Sequence, residues 1–244
     1  MEEEDSYQSV GFMFDAEARK EQIEICLQGI KILLKLIDEE PGHVQSGQYL
    51  WPASYCLSNH LITCWDNLKA ENVLELGAGV GMGGILCSRL AGVKTVTLTD
   101  YDPGSLELLN DNIELNAVDN SQTSCKCKSS FLQWGSDISP DSDIFMNHYD
   151  LIIGSDLLYC TGVVNPLLKT VARIFATHPV GSSSSPILTS NLFVLASSFE
   201  VGKEIENAVE KAAAEYNLSV ENVEPLVVSN GIKKSRIQYI RKLC

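Results

Sequence analysis

Two rhythms of apolar and polar residues run along the chain, and the points where one gives way to the other mark out its elements. Tyr149–Gly154 (YDLIIG) holds a continuous apolar run, the pattern of a parallel strand buried on both faces. Val73, Leu74 and Leu76, interrupted by Glu75, and KTVTLT at Lys94–Thr99 also read as strands, as do Cys125–Phe131 and Ile187–Leu195. Helical spacing takes over at roughly Ser54–Trp65, at Asp102–Asn116, at Val163–Thr177 with Pro166 expected in its first turn, and at Val201–Asn217. Ser219–Val228 and Arg236–Leu243 predict two strands joined through Asn230-Gly231, which favours a turn and so an antiparallel pair. Glu21–Ile37 satisfies both rhythms. Ile23, Leu27, Ile30 and Leu34 follow helical spacing while QIEIC alternates, so the segment begins as a strand or is one helix. Strands alternating with helices and closed by a hairpin predict an α/β fold, one mostly parallel sheet with an antiparallel edge.

Val73–Gly84 (VLELGAGVGMGG) is the stretch with the clearest chemistry. Strand, glycine turn and helix in that order make a nucleotide-binding βα unit. Gly77, Gly79 and Gly81 give G-x-G-x-G where a dinucleotide fold wants G-x-G-x-x-G, and GMGG permits a further spacing. The following strand ends in Asp100, a carboxylate placed to accept both hydroxyls of a ribose, as the dinucleotide fold also does. The glycines alone therefore leave a dinucleotide enzyme and an S-adenosylmethionine enzyme open. Ser155, Asp156 and Tyr159 follow the apolar strand at its carboxyl end, the edge where open α/β sheets bind ligands. Asp156 there reads either as a site residue or as a helix cap, and Tyr159 either as a site residue or as a packed aromatic. Trp51, just before Pro52 and a helix, reads from physics as an ordinary core aromatic.

Composition narrows the partners. With 244 residues the chain is expected to form one domain over 1–244, with an acidic arm at 1–20 and an N-terminal extension at 21–47. The net charge of −14 argues against nucleic acid or an anionic membrane as main partner. It suits a basic protein segment, though solubility alone explains acidity. The acidic start MEEEDSYQSV lacks the features of a signal or transit peptide, and no apolar run reaches spanning length. Eight cysteines, several inside apolar segments, fit reduced thiols of the cytosol or nucleus. Cys125 and Cys127 fall short of a zinc site, so no metal is expected. The serine-rich run at 181–186 reads as a surface loop.

Four separated motifs add a resemblance: Gln48–Ala53 (QYLWPA), Val73–Gly84, Leu132–Gly135 (LQWG) and Ser155–Tyr159 (SDLLY). Together, in this order, they resemble methyltransferase family 16, seven-strand enzymes that mostly modify protein lysines. The resemblance implies a class I methyltransferase fold, Rossmann-like, with seven strands, the last antiparallel, and helices on both faces. It implies S-adenosyl-L-methionine as cofactor, with Gly77, Ala78 and Gly79 along its methionine part, Gly81 completing the turn, and Glu75 near its amino group. Asp100 would hold the ribose, Trp134 would lie by the adenine, Trp51 would approach from the N-terminal side, and Ser155 would sit near the adenosyl group. Asp156 and Tyr159 look like the family's Asp-x-x-Tyr signature and would border a lysine channel as the catalytic pair. Spaced at i and i+3, they would project to one side of a helical turn. The chain departs from the family at Ser155, and NLFVLASSFE lacks an expected arginine. The expected partner is a protein presenting a lysine, met by a monomer. A methyltransferase for a small molecule or another side chain, and a module that keeps the pocket without activity, stay open.

Overall fold

The computed structural model describes residues 20–37, 46–117, 125–136, 143–177, 191–223 and 235–243. The acidic arm through residue 19, the run at 181–186, the Asn230-Gly231 turn, His43 and His178 lie outside them.

Glu21–Ile37 resolves into a hairpin, β1 (Lys20–Leu27) and β2 (Ile30–Ile37), with Leu27 opposite Ile30 across a two-residue turn. Gln28 and Gly29 both have positive φ (47° and 87°), the backbone that matches the twist of a tight hairpin. The hairpin is a separate sheet of two strands. A short 3-10 turn (Ser46–Gln48) leads to α1 (Ala53–Leu68), β3 (Asn72–Leu76) and α2 (Met82–Cys87). Then come β4 (Thr95–Asp100), α3 (Pro103–Ala117), β5 (Lys126–Phe131) and α4 (Asp143–Met146). The chain continues through β6 (Leu151–Ser155), α5 (Thr161–Thr177), β7 (Leu192–Ser197), α6 (Lys203–Glu215), β8 (Leu218–Val223) and β9 (Arg236–Lys242).

Seven strands form one sheet in the order β5-β4-β3-β6-β7-β9-β8. Neighbours pair in parallel from β5 to β7, while β9 is antiparallel to both β7 and β8. The expected antiparallel strand is therefore the last in sequence but not the edge. It inserts between β7 and β8, and β8 forms the edge. Pro166 also falls later than expected: α5 begins at Thr161, which puts the proline inside the helix, where it lies against Gly135.

Period-two alternation sends the strand side chains to two cores. Val73, Leu151 and Ile153 point toward α1, α2, α3 and the hairpin. Leu74, Leu76 and Ile152 point toward α4, α5 and α6. Leu74, Ile152 and Phe193 are fully or almost fully buried, each contributing about 1.5–3 kcal/mol on burial. This double covering explains why β6 and β7 carry no polar alternation.

Candidate active site

Between β3 and β6 the chain reverses its direction of travel across the sheet, and a cavity of about 470 Å³ opens there, beyond the carboxyl ends of the strands. Its walls come from the glycine turn, from residues just past β4, β5, β6 and β7, and from the segment before α1.

The turn is built on backbone that only glycine adopts freely. Gly77, Gly79 and Gly81 have φ of 59°, 54° and 84°. A Cβ on Gly79 would stand 2.7 Å from the Gly47 carbonyl oxygen, because the Ser46–Gln48 turn lies directly on the glycine loop. A Cβ on Gly77 would meet Leu157 and the Trp134 ring.

Asp100 ends β4 with its carboxylate locked in place. Oδ2 accepts the Gly79 N–H at 3.0 Å, and Oδ1 accepts the N–H groups of Tyr101 and Asp102 at 2.8 and 3.1 Å. Burial raises its pKa, and these three donors oppose the rise. Asp102 caps α3 by accepting the Ser105 N–H at 2.7 Å, ahead of Pro103 at the first helical position.

Asp156 occupies a left-handed backbone position (φ 54°) and clips two elements together. Oδ2 accepts the Ala53 N–H at the start of α1 (3.1 Å) and the Ser198 hydroxyl (2.7 Å), while Oδ1 accepts the Ser198 N–H (2.7 Å). Burial raises this pKa too, against the same three hydrogen bonds. Ser155 Oγ lies 3.1 Å from Ser54 Oγ, tying β6 to α1 again. The Trp51 indole N–H donates to the Ser46 carbonyl at 2.8 Å, and its ring meets Tyr49 edge-on at 5.4 Å. Tyr159 and Tyr101 stand at the cavity with 58% and 61% of their surface exposed.

Nine of the residues expected from sequence line this cavity: Trp51, Gly77, Ala78, Gly79, Asp100, Trp134, Ser155, Asp156 and Tyr159. Glu75 does not. It shares a strand face with Val73, so it points under α2, where Oε2 accepts the Gly84 N–H at 2.8 Å. Gly81 also stays outside; it caps α2 beside Leu109 and Leu98 and serves the turn through its backbone. Asp156 and Tyr159 are not on a helical turn, since residues 156–160 are non-helical and α5 starts at Thr161, yet both reach the cavity. Sequence reasoning missed Tyr49, Tyr101 and Phe199. Tyr101 and Phe199 lie just past the carboxyl ends of β4 and β7, and that position was the signal available.

Glu75 is fully buried, and desolvation lifts its pKa to about 8 against the Gly84 hydrogen bond, with Asp100 adding to the rise. An acid whose folded pKa is raised binds more protons in the native state. Its contribution to stability is present below about pH 4.5 and falls as pH rises toward about 8. Glu75→Gln is therefore expected to flatten the decline in stability across that window, as followed by denaturant melts at several pH values.

Sheet order, glycine turn and cavity define a class I methyltransferase fold. The chain belongs to methyltransferase family 16: the family model, described as lysine methyltransferase, matches residues 32–189. It is 32% identical over 175 residues to the protein N-terminal and lysine N-methyltransferase EFM7 of Cryptococcus neoformans, covering 67% of this chain and 55% of that protein. It is 33% identical over 126 residues to the protein N-lysine methyltransferase METTL21A of Danio rerio, covering 51% and 54%. The chain thus spans about half the length of these relatives. Among solved structures, the candidate methyltransferase SMU.776, complexed with SAH, shares the fold at 15% identity and a TM-score of 0.55, over 90% of this chain and 56% of that one.

Proposed function

We propose that this protein transfers a methyl group from S-adenosylmethionine to a lysine side chain of a protein. One observation carries the reading. Asp100, Asp102 and Asp156 line the cavity, and none of the described residues that line it is Lys, Arg or His. Such a wall suits cationic groups and sugar hydroxyls. The names of the relatives, one for lysine and one for N-terminal and lysine methylation, support the same acceptor class.

The residues present fit the cofactor. Asp100 keeps a lone pair on Oδ2 for a ribose hydroxyl, Trp134 offers an indole face to the adenine, and the glycine turn presents bare backbone at the cavity wall. When bound, S-adenosylmethionine supplies an electrophilic methyl group on a sulfonium. The protein's part is to bring an uncharged amine in line with it and keep water out. Trp51, Tyr101, Tyr159 and Phe199 form an aromatic wall for a lysine stem. These rings and the nearby carboxylates can receive the lysine as its ammonium, and the proton must leave before transfer, because a protonated amine has no lone pair. Three hydrogen bonds fix the Asp156 carboxylate at the cavity mouth, where it can attract and orient the incoming ammonium. Tyr159 is a neutral phenol able to hydrogen-bond the amine, its pKa raised further by partial desolvation.

Incubating the protein with cell lysate and tritiated S-adenosylmethionine, then resolving by size, tests the reading. Label in a discrete protein band is expected. Label only in small molecules, or none above a Gly79→Ala control, contradicts it.

A further inference from the structure

The N-terminal hairpin plays no part in the cavity, yet it is wired to the glycine turn through a single buried side chain. Asn112 on α3 is fully buried. Its Oδ1 accepts the Lys35 N–H of β2 at 2.7 Å, and its Nδ2 donates to the Lys35 carbonyl at 2.9 Å. The amide thus stands in for a neighbouring strand along β2. One turn later Asn116 does the same with Leu33, at 3.1 and 2.7 Å. Their further bonds differ: Asn116 Nδ2 donates to the Asn112 carbonyl within α3 at 2.7 Å, whereas Asn112 Nδ2 donates to the Val80 carbonyl at 2.9 Å, inside the glycine turn. Val80 lines the cavity between Gly79 and Gly81. Its carbonyl lies just ahead of α2, and the Gly84 N–H four residues on is committed to Glu75. An unpaired carbonyl buried there would be costly, and Asn112 satisfies it.

We propose that Asn112 is a positioning residue for the cofactor and that the hairpin is the brace that holds it, so that the N-terminal extension sets the shape of the glycine turn from outside the cavity. This rests on the reading of the cavity as a cofactor site. Nδ2 spends one hydrogen on the hairpin and one on the turn. Loss of either acceptor leaves the amide able to rotate, and the two ends are coupled by that shared group.

Asn116 supplies the control, because it makes the same pair of hairpin contacts without touching the turn. Titration calorimetry with S-adenosylhomocysteine on the full chain should show Asn112→Ala binding roughly tenfold more weakly, the order expected for one lost buried hydrogen bond that fixes a loop. Asn116→Ala should lose comparable thermal stability and stay within about twofold of wild-type affinity. Equal affinity in both variants, or an equal loss in both, overturns the assignment. A second measurement needs no variant: adding the same probe to wild-type protein should slow hydrogen exchange at the Lys35 amide more than at the Leu33 amide. Indistinguishable changes at the two also overturn it. A wild-type protein that binds no probe overturns the cofactor reading and this inference together, whereas a wild type that binds and an Asn112→Ala that binds equally well overturns this inference alone.

Discussion

Asp100→Ala is expected to weaken cofactor binding by at least tenfold in titration calorimetry while the chain stays folded. The carboxylate has two tasks, and alanine ends both. It orients the glycine turn by accepting the Gly79 N–H, and it holds its own strand end by accepting the N–H groups of Tyr101 and Asp102. Its remaining Oδ2 lone pair also offers a charged acceptor to a ribose hydroxyl, a bond contributing about 1.5–3 kcal/mol. Stranding three buried donors adds a structural loss, so thermal melting belongs beside the titration. Asp100→Asn keeps the outline but turns an amide N–H₂ toward one of those donors, and an intermediate loss is expected. Unchanged affinity in the alanine variant would put the ribose elsewhere.

Asp156→Asn is expected to lower both stability and turnover, with cofactor affinity within a few-fold of wild type. Each carboxylate oxygen accepts a backbone N–H, one from Ala53 and one from Ser198. Whichever way an amide is turned, its N–H₂ meets one of them. A buried mismatch of this kind costs about 1–3 kcal/mol. The left-handed backbone adds no complication, since asparagine tolerates it. Loosening this clip frees the start of α1 from the end of β7, and with them Trp51 and Phe199 at the cavity. Denaturant melts and initial rates check the two halves. A variant as stable and as active as wild type would contradict the clip.

The central strands and the glycine turn were legible because their residues answer to local rules. Leu151–Ile153 could be apolar throughout only if both faces were covered, and Asp100 could be placed because a strand fixes where its last residue lies. Glu75 shows a rule not applied far enough. The family resemblance implied a place near the cofactor's amino group, and its alternation with Val73 puts its side chain on the α2 face. The hairpin was ambiguous for a different reason. Ile23, Leu27, Ile30 and Leu34 all lie on strand positions that face or border the core, and the two-residue turn happens to restore helical spacing between them. Only Gln28-Gly29 breaks the pattern, and that pair is a weak turn signal beside Asn-Gly. The aromatic wall was legible only in part because Tyr49, Tyr101 and Phe199 come from three segments that the tertiary fold alone brings together. The same holds for Asn112, whose two partner residues, Lys35 and Val80, lie 77 and 32 residues away in sequence.

The acceptor is the centre of the account, and amino-acid analysis tests it most directly. Protein labelled by this enzyme and tritiated S-adenosylmethionine would be hydrolysed in acid and its labelled amino acids separated by chromatography. The expected result is label in ε-N-methyllysines. Label confined to methylarginine, or to an α-N-methylated terminal residue, would contradict it.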